Sequence, residues 1–143
     1  MALTTAQIQN AYVAFFNRPA DNEGLRYWGS YAGSSADLLN TFAQSAEYKS
    51  LYSGMNNTQL VGAVYQNLFG HAPDVSGLEY WVDNLSTGKL SIGNIADAIN
   101  KGALSTDATI IANKVAAATA FTAALDTTAE QVDMRSCVTT SPA

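Results

Sequence analysis

Apolar residues recur every three to four positions in two stretches, first Ile8, Tyr12, Phe15 and Phe16, then Leu60, Val61, Val64, Tyr65, Leu68 and Phe69. That spacing lines one side of a helix, so both stretches are predicted helices. Thr4 followed by Gln7 predicts a capping box ahead of the first, and Thr58 is placed to cap the second. Both stop at proline turns, Asn17-Arg18-Pro19 and Gly70-His71-Ala72-Pro73, where proline withholds a backbone donor and keeps the preceding residue out of the helical region. Asp21 and Asp74 then stand where an N-cap is wanted. Leu25 with Trp28, and Leu78, Trp81, Val82 and Leu85, carry the stripe of the next helix. A third helix follows in each half, with Leu38, Leu39 and Phe42 after Ser34-Ser35 and Ile92, Ile95 and Ile99 after Ser91; a short piece from Ala46 to Tyr52 extends the first half. An alanine-rich helix from about Asp107 to Leu125, with Ile110, Ile111, Val115, Ala118, Phe121 and Leu125 inward, closes the core. No alternating run of strand length occurs, and the expected fold class is all-α.

The two halves match at an offset of 53: Tyr12 with Tyr65, Phe16 with Phe69, Asp21 with Asp74, Gly24 with Gly77, Leu25 with Leu78, and Tyr27-Trp28 with Tyr80-Trp81. Such a period marks a duplicated supersecondary unit, and two copies are too few for a solenoid. The pattern therefore predicts a compact multi-helix globule of two pseudo-symmetric helix-turn-helix repeats. One helical domain spans 1–132, with repeat one about 5–53, repeat two about 58–104 and the closing helix about 107–125; a polar tail occupies 133–143.

Charge narrows the partners. Seven basic against twelve acidic residues leave a net charge of −5, which disfavours nucleic acid and anionic lipid head groups. Only 13% of residues are charged and 48% are hydrophobic, a balance that suits an exported or assembling protein. The single Cys137 has no internal disulfide partner and sits in the polar tail, so a free thiol is the plain reading. The amino terminus has neither a basic region nor an apolar core of secretion-signal length, and no stretch reaches the ~20 apolar residues that span a bilayer. Membrane insertion is not expected.

Catalytic chemistry finds little to work with. His71 is the only histidine and replaces Arg18 of the first half, which reads as a solvated turn residue; no serine elbow or phosphate-cradling glycine loop occurs. The turns Asp21-Asn22-Glu23-Gly24 and Asp74-Val75-Ser76-Gly77 lack the alternating oxygen ligands and distal glutamate of a calcium loop, so capping is the simpler use of each aspartate. Gly24 and Gly77, one turn inside their helices, would let a neighbouring ring or helix approach the backbone. No catalytic residue, metal site or cofactor is expected within this chain.

The twin Tyr-Trp pairs are the most distinctive feature. Successive helical residues point about 100° apart, so Trp28 and Trp81 can lie on the buried stripe and pack in the core while Tyr27 and Tyr80 fall near its edge, where a ring can stack on the apolar face of a sugar. Arg18, Asn22, Glu23, Arg26, Tyr31 and Glu79 supply surrounding groups a polyol could use, and an ordinary surface carries such groups as well.

The pattern Tyr-x3-Phe-x-Arg-x-x-Asp-x-x-Gly-Leu-x-Tyr-Trp, followed by Phe-Ala-x-Ser-x-Glu-Tyr at Phe42 to Tyr48, resembles the bacterial domain-of-unknown-function family 4214 over about residues 5 to 125. The second half keeps Tyr65, Asp74, Gly77, Leu78, Tyr80 and Trp81 but reads Asn100-Lys101-Gly102-Ala103 in place of the Ser-x-Glu-Tyr ending. Members of this family look like modules of secreted calcium-repeat (RTX-type) and surface-layer proteins. The opening Met1 to Gln7, with Ala11-Tyr12, is similar to the amino terminus of the Caulobacter surface-layer family. The resemblance implies an extracellular place at the bacterial cell surface, type I secretion by a carboxy-terminal signal, self-assembly of the full-length protein and anchoring to lipopolysaccharide. No nonapeptide calcium repeat occurs here, and the family supplies no sugar-contacting positions to carry over. The expectation is a non-catalytic anchoring module that binds lipopolysaccharide O-polysaccharide; a protein-protein assembly module is the alternative.

Overall fold

The computed structural model describes residues 3–103 and 105–125. Among them are eight helices: α1 Thr5–Phe16, α2 Asn22–Gly29, α3 Ser35–Phe42, α4 Ala46–Tyr52, α5 Asn57–Phe69, α6 Val75–Ser86, α7 Ile92–Lys101 and α8 Ser105–Leu125. The fold is all-α, and no strand occurs among the described residues. The tail at 133–143, with Cys137, lies outside the described residues, as do the last positions of the expected domain.

Local chemistry sets the helix limits. Thr4 and Gln7 close a reciprocal capping box on α1, 3.1 Å in one direction and 2.9 Å in the other. The cap of α5 is Asn56, not Thr58: Asn56 Oδ1 accepts from the Gln59 amide at 2.8 Å, and the Gln59 side chain returns the bond. Thr58 sits two residues into the helix, where its hydroxyl cannot reach that orphan amide. Ser34 and Ser91 cap α3 and α7. Both α1 and α5 end in a left-handed residue, Asn17 at φ 51° and Gly70 at φ 77°, chosen from the two residue types that tolerate it best.

Three helices of each half share an order of local signals, whereas α4 has no counterpart in the second half. In each half, a long helix runs into a left-handed cap and a proline turn, an aspartate occupies the N-cap of the next helix, and a serine caps the third. The corresponding helices also meet, α1 against α5 and, most extensively, α3 against α7. Gly93 makes the second crossing close, because a Cβ there would strike the Asn40 side chain and, at 2.7 Å, its backbone nitrogen. Asn40, Asn94 and Ser91 are hydrogen-bonded across it, as are Ser35 and Asp97 at 2.7 Å.

One apolar cluster holds Ile8, Phe15, Leu38, Val64, Leu68 and Ile95 at 2% exposure or less, with Phe42, Phe69 and Ala118 around them. A buried polar clasp crosses it. Gln9 is fully enclosed; its Oε1 accepts from the Ala20 amide at 2.9 Å, and its Nε2 donates to Thr122 Oγ1 at 2.9 Å. The Thr122 hydroxyl lies 2.5 Å from the Ala20 carbonyl and 3.0 Å from that of Ala118. The clasp joins α1, the first proline turn and α8.

It also corrects the expected face of α8. Phe121 is 52% exposed rather than inward, and Thr122 is buried in its place. Apolar residues surround α8 on all sides, so periodicity leaves its orientation open and the Gln9–Thr122 pair sets it.

Candidate functional site

Each half builds an aromatic platform from the chain upward. The Asp21 carboxylate accepts the Gly24 amide at 2.7 Å and starts α2, which brings Gly24 over the hydroxyl of Tyr12 so closely that any Cβ would collide with it. One turn on, the Trp28 indole stands close to that hydroxyl and favours its ionised form. Trp28 is half-buried, edge-on to Phe42 at 5.4 Å and to Tyr31 at 5.1 Å. In the second half Trp81 Nε1 donates to the Tyr65 hydroxyl at 3.2 Å, and a Cβ on Gly77 would lie 3.7 Å from that oxygen. Asp74 occupies the N-cap of α6 without a side-chain capping bond, and this copy is the looser one. Burial pushes the Tyr12 and Tyr65 hydroxyls above their ordinary pKa, opposed by the neighbouring indole in each case.

Against each indole stands an exposed phenol. Tyr27 meets Trp28 edge-on at 4.7 Å and 84°, and Tyr80 meets Trp81 at 4.8 Å and 74°. Tyr27 is 67% and Tyr80 58% exposed, among the most open large side chains described. Both phenols thus face water, each held against an indole that the core braces.

The other predicted ligand-binding residues divide. Glu23 and Arg26 are exposed on α2, Tyr31 is half-buried beneath Trp28, and Glu79 is exposed beside Tyr80. Asn22 places its Nδ2 out of solvent with no hydrogen-bond partner. Arg18 is already engaged: Nε and Nη2 bind Glu47 at 3.1 and 2.8 Å, Nη1 donates to the Pro19 carbonyl at 3.0 Å, and the guanidinium lies over the rings of Tyr12 and Phe16. The Glu47 hydrogen bond, ahead of its charge, holds the Arg18 pKa above its ordinary value. The predicted set does not converge on one site, because α2 packs on α1 and α8 whereas α6 packs on α5 and α7.

Three shallow grooves lie elsewhere. The first, about 370 Å³, is apolar and lined by Val13, Pro19, Ala117, Ala118 and Phe121, with Asn17, Arg18 and Lys114 at its edge. The second, about 320 Å³, lies among Leu3, Thr4, Gln7, Gly33, Ser34, Ser35 and Lys101. The third, about 260 Å³, lies between α1, α7 and α8. Of the predicted residues, Arg18 alone borders one of these three. No group of three or more His, Cys, Asp or Glu side chains among the described residues is arranged to hold a metal ion.

Residues outside the predicted ligand-binding set complete the arrangement. Glu47 and Tyr48 belong to the Ser-x-Glu-Tyr ending: Ser45 caps α4, Glu47 takes Arg18, and Tyr48 packs edge-on against Phe15 at 5.2 Å. Burial pushes the Tyr48 hydroxyl up to about 12. The half that lacks this ending also lacks the arginine, and there His71 instead reaches Asp107 at 2.8 Å. That reciprocal loss was the available signal for the Arg18–Glu47 pair.

An all-helical protein with two aromatic platforms and no deep cleft among these grooves is the class that fold and site define. Residues 39–103, from α3 through α7, match the model of a family described as a domain of unknown function (DUF4214). The match takes in the Ser-x-Glu-Tyr ending and the whole second platform, a shorter span than the resemblance drawn from the motifs. No curated protein matches the chain, and no solved structure matches it. No helix among the described residues is long and apolar enough to cross a membrane.

Proposed function

We propose that this chain is a non-catalytic module of a surface-layer or secreted protein that anchors it to the bacterial cell surface by binding lipopolysaccharide O-polysaccharide. The observation that carries the reading is the paired exposure of Tyr27 and Tyr80, each propped against a half-buried tryptophan. An exposed phenol offers a flat face to the apolar side of a pyranose and a hydroxyl to its alcohols, and its orientation is fixed beforehand by the indole. Glu23 and Arg26 on α2, and Glu79 on α6, add exposed polar groups on the helices that carry the phenols. Two separate shallow sites are weak singly, and a polymer of repeating sugars engages both, so that affinity rises without any deep pocket.

Co-sedimentation with purified lipopolysaccharide tests the reading. The protein should pellet with preparations carrying long O-polysaccharide and stay in solution with preparations truncated to the core sugars; equal pelleting with both would exclude the mechanism.

A second reading, assembly with another protein, is favoured by the 52% exposed Phe121 beside the apolar groove of α8. Sedimentation velocity distinguishes it: a mass that rises with concentration, is abolished by Phe121→Ser and is indifferent to added polysaccharide would support assembly.

A further inference from the structure

We propose that His71 is a proton-operated latch whose imidazole, set between the Ala72 carbonyl and the Asp107 carboxylate, clamps the first turn of α8 to the α5–α6 turn when doubly protonated and loosens its hold when neutral. Nδ1 lies 2.7 Å from the Ala72 oxygen and Nε2 lies 2.8 Å from Asp107 Oδ1. A backbone carbonyl can only accept, and so can an ionised carboxylate. A neutral imidazole has one N–H and one lone pair, so it satisfies one of these oxygens and turns a lone pair on the other. Only the imidazolium donates to both. The ring is held for this role by stacking on Phe69, with centroids 5.6 Å apart and planes 19° apart.

The element it clamps is poised to open. Ser105 enters α8 in the left-handed region at φ 51°, a conformation unfavourable for a residue with a Cβ, and Ser105, Thr106, Ala108 and Thr109 are exposed. The other anchors of α8 lie further along: Lys114 donates to the Asn67 carbonyl at 2.9 Å, and Thr122 joins the Gln9 clasp. Opening of the first turn therefore leaves the rest of the helix attached. It changes access to the groove of Gln7, Asn10, Asn100, Ile111, Ala112 and Val115, whose Ile111 stands one turn beyond Asp107.

The chain has a single histidine, so His71 is the side chain whose ordinary pKa places its charge change between about pH 5 and 8. Asp107 faces it from α8. On the α5 side stand Phe69 and the Tyr65 phenol, which burial keeps neutral. At the start of α6, Asp74 receives the Ser76 hydroxyl at 3.2 Å. The Ala72 carbonyl first and the Asp107 carboxylate second raise the His71 pKa above its ordinary 6.5. A raised folded-state value means that the clamp contributes fully below 6.5 and is lost as pH rises through the folded value.

Hydrogen-exchange mass spectrometry of peptides covering residues 105–112, corrected for the intrinsic chemical rate, tests the latch. Protection should fall between about pH 5.5 and about pH 8, as the imidazole gives up its second proton. In His71→Gln it should be low and flat with pH. In Asp107→Asn the His71 titration, followed by NMR, should move down toward 6.5. Protection that does not change with pH in the native protein, a pH dependence that survives His71→Gln, or a titration unmoved by Asp107→Asn would each overturn the proposal.

Discussion

Arg18 and Glu47, 29 residues apart in the chain, meet in a two-pronged ion pair that ties the first proline turn to α4. The pair stands in water, with side-chain exposures of 43% and 40%, so solvent screening discounts its charge energy. Its planar geometry still locks the arginine over Tyr12 and Phe16. Glu47→Gln should lower stability by about 1 kcal/mol or less in urea unfolding, and Arg18→Ala by somewhat more, because it also removes the guanidinium cover from two rings. Equal effects would mean that the cover contributes nothing.

The glycines of the two platforms should respond differently to the same change. At Gly24 a new Cβ meets the hydroxyl of Tyr12, whose buried ring is packed against Phe16 and Phe42, and Asp21 Oδ1 at 2.8 Å, which is engaged in the cap. At Gly77 the closest atom is Asp74 Oδ1 at 2.6 Å, the end of an exposed side chain that makes no capping bond and can turn away. Gly24→Ala should cost about 1–3 kcal/mol by overpacking. Gly77→Ala should be near neutral, because the helix-propensity gain of about 1 kcal/mol offsets a small rearrangement. Thermal unfolding of the two single variants checks the order.

Gln9→Leu keeps the volume and removes the clasp. The Ala20 amide then loses its acceptor in a buried setting, and the Thr122 hydroxyl loses a donor. An unsatisfied buried donor costs about 1–3 kcal/mol, so the variant should unfold at distinctly lower denaturant with its helical signal intact in the native range. Unchanged stability would show that an apolar residue serves equally well at this crossing.

Much of this architecture is legible in the sequence, for local reasons. The period of Ile8, Tyr12, Phe15 and Phe16, the prolines at 19 and 73 and the caps at Thr4, Asp21, Ser34 and Ser91 act within a few residues of chain, and the helices follow from them. The cap at Asn56 was within reach of the same logic, since Gln59 three residues on is the reciprocal partner that Thr58 lacks. The face of α8 was not legible: with alanine, valine and isoleucine on every side, its rotation is decided by Gln9, 113 residues away from Thr122. For the candidate site, the exposure of Tyr27 and Tyr80 could be placed from their position beside a tryptophan. The engagement of Arg18 could not, because its partner lies across a turn and a second helix.

The central claim is that Tyr27 and Tyr80 face a polysaccharide while their tryptophans hold the fold. The most direct measurement is lipopolysaccharide co-sedimentation of the combined variant Tyr27→Ala, Tyr80→Ala, with circular dichroism melting on the same sample. Removal of two phenols that are 67% and 58% exposed should leave the melting curve nearly in place, and pelleting should fall to the level seen with lipopolysaccharide lacking O-polysaccharide. A double variant that melts normally and still pellets as the native protein does would contradict the account.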